Sequence, residues 1–224
     1  MNDRAPALDL GPFRHIVVEG PIGVGKTSLA KRLAATLHCE LVLEQAEQNP
    51  FLEQFYRSRR QAALPTQLYF LLQRARQLEQ FRHGDMFASV KVADYLLEKD
   101  RLFAELNLNA NELKLYNQLA DTLDLEPPTP DLVIYLQAPA PVLMKRIASR
   151  GLSYEQLIDL SYLERLGEAY ARFFHDFDAA PLLIVNAETI DPISRESDYA
   201  DLLRTISRVR RGRHFYNPKV GALA

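Results

Sequence analysis

The chain has 224 residues, 47% hydrophobic and 25% charged, the composition of one globular unit with room for a sizeable core. Its 27 basic and 29 acidic residues leave a net charge of −2, which gives no case for a nucleic-acid polymer or an anionic membrane as the main partner. No apolar run approaches the ~20 residues needed to span a bilayer, and the lone cysteine, Cys39, excludes an intramolecular disulfide and suits a reducing, cytoplasmic setting.

Residues 1–13 read as a flexible lead-in with Pro6, Gly11 and Pro12; acidic and without an apolar core, they do not read as an export signal. HIVVEG (15–20) is an apolar run ending in glycine and predicts a buried strand. Leu29, Leu33 and Leu37 recur at helical spacing and predict a helix over 26–38. ELVLE (40–44) predicts a second strand, and 50–61 and 64–82 predict two helices, the second entered through Leu64-Pro65 with the proline at its start. A third strand is expected near 86–92, then helices over 95–106 and 109–124. EPPTP (126–130) breaks the chain before DLVIYL (131–136), a buried strand. Helices over 140–149 and 159–177, the strand PLLIVN (181–186) and a helix over 197–209 follow. The basic, aromatic stretch RRGRHFYNPKV (210–220) reads as a packed or frayed terminus. Strands alternating with helices imply parallel pairing. The expected fold is therefore a single three-layer α/β domain over 14–210, with a five-stranded parallel sheet, helices on both faces and a tail at 211–224.

GPIGVGKT (20–27) matches GxxxxGK[ST] in full, with a strand before it and a helix after it. Glycines 20, 23 and 25 let the backbone curl so that several N–H groups converge on phosphate oxygens, and the start of the next helix adds its positive end. Gly20, Pro21, Ile22, Gly23, Val24, Gly25, Lys26, Thr27 and Ser28 are thus the candidate ATP site. Lys26 suits the β- and γ-phosphates, and the Thr27 hydroxyl suits Mg²⁺. No strand ends in the common Mg²⁺-holding aspartate, and neither NKxD nor DxxG occurs, which favours a small nucleoside or nucleotide kinase over a switch GTPase or motor. Glu44 ends the second strand, where carboxyl ends face the ligand crevice; a carboxylate there suits proton removal from an attacking hydroxyl, or else is a helix-capping or solvated acid.

From here the chain resembles the deoxynucleoside kinase family, its bacterial branch above all, over roughly residues 14–190. The resemblance rests on the phosphate loop, Glu44, FLEQFY (51–56), TQLYFLLQRAR (66–76) and KRIASRGLSYE (145–155) in that order. It implies a P-loop kinase fold with an arginine-bearing lid, ATP and Mg²⁺ as cofactors, a deoxynucleoside as acceptor and a homodimer. Glu44 then falls at the general base. Tyr56 and Glu155 fall where the sugar 3′-hydroxyl is held, and Gln67 where paired hydrogen bonds read the base, as an amide's adjacent donor and acceptor allow. Arg74 falls at an arginine of members accepting purines or deoxycytidine, and Phe103 at the phenylalanine that stacks on the base. Arg146 and Arg150 fall at lid arginines that stabilise charge on the transferring phosphoryl group. On this reading deoxyadenosine is favoured, with deoxyguanosine and deoxycytidine open.

Two departures stand out. Leu152 replaces a third lid arginine. In DYLLEKD (94–100), Asp94 keeps an acid expected to bind Mg²⁺ or support the base, and Asp100 keeps one used near the nucleobase. Tyr95 and Leu96 stand where the family has Arg-Ser, leaving Lys91 or Lys99 to supply the cation paired with the base. Two rival readings are a nucleoside monophosphate kinase, with Arg57, Arg59 and Arg60 as its acceptor-phosphate cluster, and a nucleotide-binding switch without catalysis.

Overall fold

The computed structural model describes residues 13–83, 90–123 and 125–218. Residues 1–12 of the expected lead-in, 86–89 of the expected third strand and 219–224 of the tail lie outside them. In chain order the elements are β1 (His15–Glu19), α1 (Lys26–Leu37), β2 (Glu40–Val42), α2 (Leu52–Arg57), α3 (Arg59–His83), β3 (Lys91–Ala93), α4 (Lys99–Asn107), α5 (Ala110–Leu123), β4 (Leu132–Gln137), α6 (Ala140–Arg150), α7 (Leu160–Asp176), β5 (Leu182–Asn186), α8 (Glu196–Ile206) and β6 (Arg213–Tyr216).

The sheet order is β2-β3-β1-β4-β5-β6, and every pairing is parallel. β1 and β4 lie at the centre and bury nearly every residue, as continuous apolar runs do when helices cover both faces. The chain leaves β1 for the β2 edge, returns to β3 and then crosses to β4. β1 is therefore the topological switch point, where the carboxyl ends of an open parallel sheet form a crevice. The glycine loop opens from that end. A Cβ on Gly20, whose φ is +147°, would stand 2.4 Å from the Leu136 carbonyl oxygen of β4. Glycine is what lets the loop turn this close to the neighbouring strand.

Two expectations are corrected. The sheet has six strands, because the tail forms β6 beside β5 from Arg213 to Tyr216. Its residues alternate between exposed and half-buried, with Phe215 72% exposed, so it lacks the apolar run that marked the others. Arg213 fixes it from outside by donating to the carbonyls of Phe174 and His175 at 3.1 and 2.8 Å, the last turn of α7. The second correction is in the helices. The break falls at Ser58, and α3 runs straight through Pro65. The missing N–H of Pro65 costs one helical bond. The next turn is fastened from outside, where the Asn49 amide donates to the Thr66 carbonyl at 3.1 Å.

Candidate active site

α1 starts at Lys26, immediately after Gly25 in the left-handed region, so the loop delivers its N–H groups and the helix start to one spot. Lys26 folds back over the loop and donates to the Pro21 carbonyl at 3.2 Å. Burial lowers its pKa, though Glu19 opposes this. Thr27 Oγ1 donates to Asp94 Oδ2 at 2.5 Å, and Asp94 Oδ1 accepts the Glu44 N–H at 2.8 Å. One aspartate beyond β3 thus ties the loop to Glu44. A hydroxyl and a single carboxylate fit Mg²⁺, which keeps waters and phosphate oxygens as its other ligands. Among the described residues no cluster of three or more His, Cys, Asp or Glu forms a cage.

Glu44 lies two residues past β2, beside a turn with Gln45 at φ +55°. Each of its oxygens meets a cation: Oε1 accepts from Arg74 at 2.5 Å and Oε2 from Lys99 at 2.8 Å. Burial favours the neutral acid, but Lys99 and Arg74 outweigh it and hold the carboxyl down at about 2. This depressed group stabilises the fold above its unfolded pKa, and the contribution is lost as pH falls toward 2. The melting temperature is expected to fall more steeply between pH 4.5 and 2 in the parent than in Glu44→Gln. Calorimetric melts across that window check it.

Behind Glu44, Arg74 has no exposed side-chain surface. It faces the Tyr95 ring at 4.2 Å and stands 3.5 Å from Asp100. Arg74 Nε and Asp100 Oδ2 are both buried without a hydrogen-bond partner. Tyr95 stands at the position of the family's arginine. It covers Arg74 and donates to Gln77 at 2.8 Å. Lys91 pairs with Glu40 at 3.1 Å, where β2 and β3 begin, so the lysine that reaches Glu44 is Lys99.

Between loop and carboxylate lies a cavity of about 430 Å³. Ile22, Gly23, Lys26, Thr27, Ser28, Glu44, Tyr56, Gln67, Asp94, Asp100, Phe103, Arg150 and Glu155 line it. Arg74 does not; it stands behind the wall. Arg146 turns to a smaller hollow of about 230 Å³ on the other side of the loop, donating to the carbonyls of Val24 and Ala187 at 3.2 and 2.7 Å. Arg150 lines both hollows and grips Glu155, with Nε to Oε2 at 2.9 Å. Leu152 lines the larger cavity. Arg57, Arg59 and Arg60 do not. Arg57 pairs with Glu53 at 2.9 Å, and Arg59 with Asp159 at 2.9 Å.

Sequence reasoning left out four aromatic or charged groups. Tyr154 stacks on Tyr56 with centroids 6.2 Å apart. Tyr162 and Tyr170 also line the cavity. Fully buried Glu19, last residue of β1, accepts from the N–H groups of Gly20 and Leu96 and from the Tyr170 hydroxyl, at 2.8, 2.7 and 2.9 Å. An acid ending an otherwise apolar strand was the available signal for Glu19.

A phosphate loop at the sheet's switch point, sharing a cavity of nucleoside size with a carboxylate, defines a small-molecule phosphotransferase. A deoxynucleoside kinase family model matches residues 16–210, and the chain belongs to the deoxynucleoside kinase family. It is 32% identical over 197 residues to a deoxyguanosine kinase of Bacillus subtilis, covering 86% of this chain and 94% of that one. It is 29% identical to a deoxyadenosine kinase of Lactobacillus acidophilus, covering 88% and 96%. Among solved structures, deoxyadenosine kinase from M. mycoides with bound dATP superposes with a TM-score of 0.73 at 26% identity, covering 86% of this chain and 98% of that one. The same enzyme with dCMP and a flexible dCDP bound gives 0.73 at 25% identity, with the same coverage. The chain is an enzyme, a kinase that uses ATP. No helix among the described residues is long and apolar enough to cross a membrane.

Proposed function

We propose that the enzyme transfers the γ-phosphoryl group of ATP to the 5′-hydroxyl of a deoxynucleoside in cytoplasmic nucleotide salvage, with deoxyadenosine favoured over deoxycytidine and deoxyguanosine. The observation that carries this is a carboxylate, Glu44, on the wall of a cavity that Lys26 of the phosphate loop also lines. Glu44 takes the 5′ proton as the oxygen attacks phosphorus in line. Lys26, the loop N–H groups and Arg150 stabilise the charge on the transferring group. Arg146 steadies the loop at the Val24 carbonyl and borders the hollow that suits the donor's base. Thr27 and Asp94 hold Mg²⁺, which when bound offsets phosphate charge. Tyr56 and Glu155 hold the deoxyribose, Phe103 stacks on the base, and Gln67 pairs with its edge.

Asp100 supports the choice of base. It lines the cavity as a carboxylate ion-paired with Arg74 at 3.5 Å, an acceptor that suits an exocyclic amino group and meets a guanine carbonyl unfavourably. ATP with each of four deoxynucleosides, adenosine and deoxyadenosine monophosphate, products separated, is the test. Deoxyadenosine should react fastest and the monophosphate not at all. Fastest turnover of deoxyguanosine would end the role given to Asp100, and consumption of the monophosphate alone would end the role of Glu44.

A homodimer is also proposed. Leu72 on α3 and Leu115 and Leu119 on α5 are exposed, and α3 packs beside α5. Exposed leucines grouped on adjacent helices suit an interface. Light scattering behind a sizing column should give about twice 25.6 kDa, and Leu115→Glu should return the monomer mass.

A further inference from the structure

Lys99 breaks two local rules at once. It is the first residue of α4, where the helix dipole disfavours a cation. Its side chain is only 5% exposed, and a buried ammonium is costly unless well paired. Such conflicts concentrate at working sites. Its amine lies between two carboxylates, 2.8 Å from Glu44 Oε2 and 3.9 Å from Glu19 Oε2. Glu19 cannot follow a moving charge, because two N–H groups and a tyrosine hydroxyl fix it. Glu44, as the proposed base, is the carboxylate whose charge changes during the reaction. The groups facing it are Arg74 from α3, Lys99 and Asp100 from α4, Lys26 from α1, Asp94 and Tyr95 beyond β3, Tyr56 from α2 and Tyr170 from α7, with Glu19 of β1 on the far side of the Lys99 amine.

We propose that Lys99 is a positioning residue for the transfer: it fixes Glu44 Oε2 before reaction and is held by Glu19 once Glu44 is neutral. This rests on Glu44 being the base. In the step, the 5′ oxygen forms a bond to the γ-phosphorus. The bond from that phosphorus to the β–γ bridging oxygen breaks, its electron pair leaves with ADP, and the 5′ proton goes to Glu44. At that moment Lys99 loses its nearer anionic partner. Glu19, fully buried and anchored to the phosphate loop through the Gly20 N–H, keeps the ammonium paired without motion. Glu19 thereby lowers the cost of neutralising Glu44 in the transition state, where binding energy raises kcat.

The test uses Lys99→Met, Lys99→Arg and a double variant with Glu44→Gln, assayed with ATP and deoxyadenosine and normalised to the fraction of protein that binds ATP. Lys99→Met should lower kcat about 10²-fold while KM for the nucleoside stays within about threefold. Lys99→Arg should recover about tenfold of that loss. In the Glu44→Gln background, Lys99→Met should cost less than about threefold, because both act through one carboxylate. Equal losses on both backgrounds, or parent kcat in Lys99→Met, overturn the proposal. Lys99→Gln, which keeps a donor without the charge, is the second variant and should show the same loss. If neither neutral variant folds, Lys99 is needed for folding alone and the proposal fails. A fully active Glu44→Gln would instead remove the reading of Glu44 on which it stands.

Discussion

Glu44→Gln is expected to fold, to bind ATP as the parent does, and to turn over deoxyadenosine about 10³-fold more slowly. The substitution keeps the side chain's length and its acceptor oxygen, so Arg74 retains a partner. What it removes is a carboxylate of the cavity wall whose two oxygens each meet a cation. The amide cannot take a proton from the 5′-hydroxyl. ATP affinity should survive, because the loop N–H groups and Lys26 grip the phosphates independently of position 44. Paired measurements of nucleotide affinity and single-turnover rate read the two effects apart. A rate within about tenfold of the parent would remove Glu44 from the chemistry.

Arg74→Met is expected to damage stability more than any surface change. The guanidinium is fully buried, bonded to Glu44 and stacked on Tyr95. Methionine fills a similar volume, but it leaves buried Asp100 with Lys99 alone to oppose its charge and strips one of the two cations from Glu44. Removing one partner of such a pair costs about 3–5 kcal/mol, which for a chain of this size lowers the melting temperature by on the order of 10 °C. Arg101→Ala, which breaks an exposed pair with Glu105 at 3.0 Å, should leave the melt almost unchanged. A Arg74→Met melt matching that control would show that the buried network carries no stability. Turnover should fall as well, since Glu44 loses the contact that orients Oε1.

The centre of this fold is legible in the sequence for a physical reason. HIVVE and LVIYLQ are buried on both faces, so nothing polar interrupts them, and GPIGVGKT leaves the backbone almost no other way to turn. The edges are less legible. β6 is half exposed and its sequence alternates, so a basic tail conceals it. Pro65 reads as a helix boundary because its own chemistry opposes the interior of a helix, and only the contacts around Asn49 and Thr66 show how the turn is held. In the site, helical spacing places Gln67 and Arg74 on one face of α3 but says nothing of depth. Gln67 reaches the cavity, while Arg74 stops behind it against Glu44. Lys99 is the reverse case. The sequence offers it only as an alternative to Lys91, and the structure sets its amine between Glu44 and Glu19.

The most direct measurement is a crystal structure of the enzyme with deoxyadenosine and a non-hydrolysable ATP analogue. The 5′ oxygen is expected about 2.6–3.2 Å from a Glu44 carboxylate oxygen, in line with the γ-phosphorus above the Gly20–Thr27 loop. A nucleoside bound with its 5′ oxygen turned away from Glu44, or a triphosphate seated off that loop, would contradict it.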